Sequence, residues 1–446
     1  MFLLTSATRQ VGGSLVVSLI HLLAGSSIPL SSIILPNLQV NNEESSWFAS
    51  IIFLGMSLGS LAGSVYCDII GRRSSLIIDC FGFLSGFLLI GLGGEINIYL
   101  LCIGRVLTGF FMGTMKCSMM IYICEFCEPK YRGLVGGLNM LVFMIGFTAP
   151  FLLNMMCHWT VVTLSLSAPS LIAILGLFCL QESPVWLMRK KGEEQAIKSL
   201  KFFRGEETDI KKGIEDIKQS IAYTNESNQT KLSMMMTRSF YRPFLYFCYV
   251  MMALEWSSYP VLGTYMITIF QKTGSALNPN TSSLVVCSVR ICFAAFTSSL
   301  LLRFPRRRIY FVAASVTCLS LLLLGGYVSA SEVYDLPSLV NILPLVLIIC
   351  IYIGFSLGYG TISIILQGEV FPPEMRSLGC GVIFCLEMIS SFAATKCSGY
   401  IIGSIGLQGL FWLYSVVVFS VIVTAYFFMP ETKDKTLAQI QAEYQK

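Results

Sequence analysis

Charge is scarce in this chain. Asp, Glu, Lys and Arg make up 12% of its 446 residues, against ~25% in an ordinary soluble domain. So little polar surface cannot keep a chain of this length dissolved, which excludes a soluble globular protein. Histidine is scarcer still, with His21 and His158 the only two. No nucleophile–base arrangement or phosphate-binding loop stands out, so enzymatic activity is not expected. Cysteine is plentiful at 16 residues, but it lies mostly in apolar runs (Cys80, Cys102, Cys292, Cys318, Cys350), where it acts as a small hydrophobe. Cys124 and Cys127 form a CxxC without the second pair that a zinc site needs. No metal, cofactor or nucleic acid is expected.

What the chain has in excess is apolar length. Hydrophobic residues make up 55% of it, and mean hydropathy is +0.73. A bilayer core of ~30 Å takes ~20 apolar residues per helix. Such runs lie near 11–35, 47–66, 75–94, 98–122, 134–156 and 160–180, and again near 243–270, 282–303, 308–327, 343–367, 378–402 and 408–428. The first run is too long for a cleavable leader and lacks a small-residue cleavage site, so it reads as a span. The pattern predicts an all-α membrane protein of twelve transmembrane helices. One six-helix half covers 1–180, a polar linker 181–242, a second six-helix half 243–430 and a tail 431–446. The linker holds twelve of the 30 Lys and Arg residues. Within it, Ala196, Ile197, Leu200 and Phe203 share one face of a charged stretch, which predicts an amphipathic helix lying on the membrane surface or on the bundle ends.

Short loops after the second, fourth, eighth and tenth spans carry Arg72, Arg73, Lys130, Arg132, Arg306, Arg307, Arg308 and Arg376. The opposite loops carry Glu43, Glu44, Glu95, Glu332 and Asp335, with Lys272 as their clear cation. The positive-inside rule then places both termini in the cytoplasm, as an even number of spans requires. A multi-pass protein, of the plasma membrane, is expected.

The two halves also repeat. Glu125 precedes Arg132 by seven residues after the fourth span, and Glu369 precedes Arg376 by seven after the tenth. Glu182 in Gln181-Glu182-Ser183-Pro184 answers Glu431 in Pro430-Glu431-Thr432. Asp68-x-x-Gly71-Arg72-Arg73 answers Arg303-x-x-Arg306-Arg307-Arg308. Basic loops alone do not require a matched acid-to-arginine spacing; two related six-helix halves, as in major facilitator transporters, do. Carboxylates at helix ends and arginines of neighbouring loops suit charge-assisted pairs that form and break as such halves close and open. Asp68, Gly71, Arg72, Arg73, Glu125, Arg132, Glu182, Arg306, Glu369, Arg376 and Glu431 are the candidates for this latch. Gly71 permits the tight turn between the second and third spans. Plain anchoring of helix ends is the alternative reading, and both can hold.

In this order the motifs resemble the sugar porter family of the major facilitator superfamily, and within it the insect facilitated trehalose transporter-like proteins. Gly104-Arg105 through Gly109 and Gly113 looks like the family's fourth-span GRxxxG stretch. Tyr122, Glu125, Arg132 and Gly133 look like YxxE…RG. Glu182-Ser183-Pro184 with Trp186-Leu187 resembles PESPRWL, and Pro430 to Leu437 resembles PETKGKTL. Gly354 to Gly358 and Gly368-Glu369 resemble the tenth-span block. The resemblance implies the major facilitator fold and alternating access, with a sugar as substrate.

The same resemblance places a substrate cavity at Asn139, Met140, Glu255, Tyr259, Arg290, Ser356, Ile364, Glu387 and Met388. Several of these depart from the family. Met140 stands for a sugar-contacting glutamine. Leu254-Glu255-x-Ser257-Ser258-x-Pro260 stands for QQxSGxN. Arg290 stands for an asparagine, Ile364 for a tryptophan, and Glu387-Met388 for Asn-Trp. Recognising a ring of hydroxyls takes amide partners and an aromatic face. Glu255, Arg290 and Glu387 instead sit deep in their spans, where an ionisable group usually faces a cavity or a partner. They read either as a pocket for a charged or polar solute, as a protonatable coupling group, or as a self-neutralising bridge. The first span has no acidic residue, so facilitated diffusion is the default. Three functions follow: a sugar carrier, a carrier of a different and charged small solute, and a membrane sensor that kept the fold without transport.

Overall fold

The computed structural model describes residues 6–93, 97–205, 210–226, 238–335, 337–371, 373–429 and 431. Among them all regular structure is helical. Among the described residues nine stretches are long and apolar enough to cross a bilayer: Ser6–Ser27, Asn42–Gly63, Arg72–Gly93, Ile98–Phe126, Lys130–Asn154, Trp159–Phe178, Arg306–Val333, Val340–Gln367 and Gly379–Phe428. The last holds two spans. Gly406 (φ 76°, ψ 173°) leaves helical geometry, a conformation open to glycine alone, and the chain on each side exceeds the ~20 residues of a crossing. Two spans complete the twelve. Arg238–Glu255 continues after a break as Tyr259–Thr273, and Pro279–Arg303 is diluted by Ser, Thr and Arg side chains.

The chain divides into two compact units. The first comprises Met1–Ser27, Leu54–Phe147 and His158–Lys231; the second comprises Ile28–Phe53, Thr148–Cys157 and Leu232–Lys446. In the first unit, helices meet backbone to backbone. A Cβ added at Gly59 would stand 1.9 Å from the Phe110 carbonyl, and one at Gly113 2.2 Å from that of Met56. The second and fourth spans approach this closely because lipid offers no hydrophobic drive between helices, and small residues maximise van der Waals contact instead. Arg105, buried in the fourth span, donates to the Ser27 carbonyl at the end of the first. This satisfies an orphan carbonyl at a helix C-terminus with a cation, as the helix dipole favours.

The amphipathic linker helix forms over Glu193–Arg204 and buries Ala196, Ser199, Leu200 and Phe203. Phe203 stacks on Phe126 at 4.4 Å and meets Tyr122 edge-on, so the helix lies on the bundle ends. Behind it Trp186, Leu187, Ala196, Leu200, Ile214 and Ile217 make a small core of the soluble type. Gln10, fully buried, exchanges two bonds with Glu128: its Nε2 donates to Oε1 at 3.0 Å, and the Glu128 amide donates to its Oε1 at 2.8 Å. Burial works against the charge of Glu128, but the bonds from Lys130 and Gln10 outweigh it and hold the carboxyl below its usual range. Its contribution to stability is therefore present above the ordinary carboxylate range and lost as pH falls through the lowered one.

In the second unit, Phe240, Phe244, Phe247 and Phe371 cluster with centroids 5.5 to 6.5 Å apart. Lys396 sits 4.1 Å over the Trp47 ring and donates to Ser46 Oγ at 2.8 Å. It ties the eleventh span to the start of the second, an anchoring role for a lysine in an apolar helix.

Candidate functional site

The basic-loop motifs build one arrangement twice. In the first unit, Glu182 accepts from the Arg73 amide at 2.8 Å and the Ser74 amide at 3.3 Å. In the second, Glu431 accepts from the Arg306 amide at 3.2 Å and the Arg307 amide at 3.1 Å. Each carboxylate thus caps the N-terminus of the third or ninth span, where orphan amides and the helix dipole favour an anion. Each capped span returns an arginine to the helix the acid follows. Arg73 donates to the Leu177 and Phe178 carbonyls at 2.8 and 3.1 Å, and Arg307 to Tyr426 at 2.6 Å.

Around the first cap, Arg72 (4% exposed) pairs with Asp68 at 2.9 Å and Glu125 at 3.1 Å. Glu125 also accepts from Ser183 Oγ, whose oxygen in turn caps Trp186. Trp186 Nε1 donates to the Asp68 carbonyl at 3.0 Å. Gly71 holds φ 104°, and a Cβ there would stand 2.4 Å from Glu182 Oε2. Arg132 donates to the Cys124 carbonyl at 2.9 Å. These contacts lie inside a single unit. The side chains of Glu369 and Arg376 lie outside the described residues.

The cavity candidates separate into groups. In the first unit, Asn139 is buried, accepts from Ser18 Oγ, and offers its carbonyl to His21 Nδ1 at 3.0 Å. Its neighbour Met140 is exposed. In the second unit, Glu255, Tyr259, Arg290 and Ser356 meet around the break in the seventh span. Arg238–Glu255 ends, Ser258 adopts φ 79°, and the helix resumes at Tyr259. Tyr259 lies flat on Phe355, centroids 3.8 Å apart and planes at 6°. Arg290, 2% exposed, donates to the Tyr259 hydroxyl. Its guanidinium carbon stands 5.1 Å over the Tyr259 ring and 5.3 Å over that of Tyr352. An aromatic box holds a cation by its ring quadrupoles, worth about 2 kcal/mol when desolvated. Glu255 (5% exposed) accepts from Ser391 Oγ, and Ser390 donates to the Met252 carbonyl at 2.9 Å.

Phe355–Tyr359 forms a π-helical turn in the tenth span. It frees the Ser356 carbonyl to accept from Thr297 at 3.0 Å and Thr361 at 2.9 Å. Such turns concentrate at functional sites. In the eleventh span Met388 is buried and Glu387 half-buried, whereas Ile364 of the tenth is exposed. Tyr352, Phe355 and Ser391 escaped the sequence reading. Phe355 stands in a recognised motif, but only the fold shows that its ring meets Tyr259.

Ser258 is the sole described non-glycine residue with positive φ, at the position where the family signature carries glycine. A left-handed conformation costs an ordinary side chain about 1 kcal/mol or more. Ser258→Gly is therefore expected to raise the melting temperature of purified protein while leaving the Tyr259–Arg290 group in place. An unchanged or lowered value would show that the serine side chain is needed there.

The sequence profile of the sugar (and other) transporter family matches residues 24–444. The chain belongs to that family. Facilitated trehalose transporter Tret1 of Drosophila virilis is 28% identical over 444 residues, covering 97% of this chain and 48% of that protein. Tret1 of Apis mellifera ligustica is 25% identical over 446 residues, covering 98% and 88%. The chain thus spans about half the length of the Drosophila virilis and Drosophila yakuba relatives and most of the honeybee one. The inward-open xylose transporter XylE of E. coli superposes with a TM-score of 0.81 at 18% identity, covering 96% of this chain and 98% of that one. The fold is the all-α, twelve-helix major facilitator fold of a multi-pass membrane protein.

Proposed function

We propose that the chain moves a sugar, trehalose or a hexose, across the plasma membrane by facilitated diffusion and alternating access, with both termini cytoplasmic. The match to a transporter family over residues 24–444 carries this reading, and the insect relatives named facilitated trehalose transporters supply the substrate class. The duplicated cap motif fits a machine of two related halves, and the charge pairs around Arg72 and Glu125 are its candidate state-dependent contacts.

A second reading, a carrier of a charged small solute, is favoured by one observation. Arg290 is buried against Tyr259 and Tyr352, where the family resemblance expects an uncharged sugar contact. Uptake of labelled trehalose, glucose and a panel of organic anions by vesicles containing the full chain tests both. Saturable trehalose or hexose uptake is the expected result. Uptake of an anion without sugar uptake would replace it with the second reading. No uptake of any solute by correctly inserted protein would leave a membrane sensor.

A further inference from the structure

The third span carries an aspartate that neither the loop motifs nor the cavity account for. Asp79 lies seven residues into Arg72–Gly93 and is fully buried. One carboxyl oxygen, Oδ1, takes both available donors. The Tyr66 hydroxyl reaches it from the second span, and Thr114 Oγ1 from the fourth at 2.6 Å. The other oxygen, Oδ2, is buried without a hydrogen-bond partner among the described residues.

Among the described residues, the groups around it supply no counter-charge. On its own helix Cys80 is adjacent, and Arg72, two turns away, is committed to Asp68 and Glu125. From the second span come Tyr66 and, one residue on, Cys67, while the fourth presents Thr114 and Cys117. Lys116, beside Cys117, is exposed. The sixth-span helix Ser167–Phe178, packed on the third, holds no ionisable side chain. An ionised carboxylate here would leave an unpaired anionic oxygen in a buried three-helix contact. A protonated carboxyl accepts the two hydroxyls at Oδ1 and carries its hydrogen at Oδ2, so no charge is buried.

We propose that Asp79 is a proton-binding site, occupied in the folded protein, that makes the contact of the second, third and fourth spans sensitive to pH. The ligand is a proton, and the inference does not depend on what the protein transports. A carboxyl that keeps its proton in the fold and releases it in the unfolded chain binds more protons folded than unfolded, so stability falls as pH rises.

Infrared difference spectra of the full chain in lipid, wild type against Asp79→Asn, test the proposal. At about pH 6, above the range of a free aspartate, wild type is expected to show a protonated-carboxyl C=O band that the variant lacks. Between about pH 6 and about pH 9, the wild-type melting temperature should fall further than that of the variant. Identical spectra, or equal falls, would overturn it. Should Asp79→Asn not fold, Tyr66→Phe serves, because a lost hydroxyl donor weakens the charged form. Its carboxyl band should then persist to higher pH than in wild type, and a band that disappears at the same pH or lower overturns the proposal. A melting temperature that rises with sodium at fixed pH would assign the site to an alkali ion and overturn it as well.

Discussion

Arg72→Ala is expected to destabilise the first unit by about 3–5 kcal/mol, the usual cost of breaking a buried ion pair from one side. The size follows from what is left behind. Glu125, 14% exposed at its side chain, would keep the Ser183 hydroxyl as its hydrogen-bond donor and the charge of Arg189, which makes no ion pair with it among the described contacts. Asp68, at 65% exposure, is hydrated and would lose little. The partner test is a double-mutant cycle. Arg72→Ala with Glu125→Ala should cost less than the sum of the two single changes, because the double variant buries no lone charge. Thermal unfolding of purified protein reads all four proteins. Additive costs would show that the two side chains act separately, and that the 3.1 Å contact contributes nothing of its own. If the network also biases the transport cycle, Arg72→Lys should retain stability better than Arg72→Ala and still alter uptake, since a lysine keeps the charge without the guanidinium fork.

Arg290→Ala carries the second large effect, and its direction separates the two functional readings. The change removes a fully enclosed guanidinium, the bond to Tyr259 and two aromatic contacts at 5.1 and 5.3 Å. Loss of the packing and the cation–π contacts is expected to cost about 2 kcal/mol or more of stability. For a sugar carrier, Arg290→Asn restores the neutral hydrogen-bonding group that the family resemblance places there, and sugar uptake is expected to rise relative to wild type. For a carrier of an anion, both Arg290→Asn and Arg290→Ala abolish uptake, because the cation that would meet the solute is gone. Initial rates with trehalose and with an organic anion decide between these outcomes. Unchanged rates with both solutes would remove Arg290 from the substrate path and leave it a packing residue.

The sequence showed some parts of this site more clearly than others, for physical reasons. Loop motifs were legible because each is local. Glu182 follows the sixth span and Arg73 opens the third, so an acid and an arginine read as complementary, although the 2.8 Å contact is made by the Arg73 amide while its guanidinium turns to the Leu177 and Phe178 carbonyls. The linker helix was legible because Ala196, Leu200 and Phe203 recur at helical spacing. Two things were not. Arg290 and Glu255 read as costly buried charges, but hydrogen-bond partners such as Tyr259 for the first and Ser391 for the second come from other helices and follow no periodicity. Asp79 sits in an apolar run whose hydropathy hides one carboxylate, and only the fold brings Tyr66 and Thr114 to the same oxygen.

Composition and apolar run length by themselves determined that this is an all-helical membrane protein of twelve spans, since a bilayer fixes both the length and the hydrogen bonding of whatever crosses it. The paired motifs determined that its halves are related. Tertiary structure alone decided how the charges are spent. It placed Glu182 and Glu431 on helix N-termini, enclosed Arg290 between tyrosine rings, and left one oxygen of Asp79 without a donor among the described residues. Helix registers and crossings bring distant residues together within a few ångströms, and no pattern along one helix encodes which faces will meet.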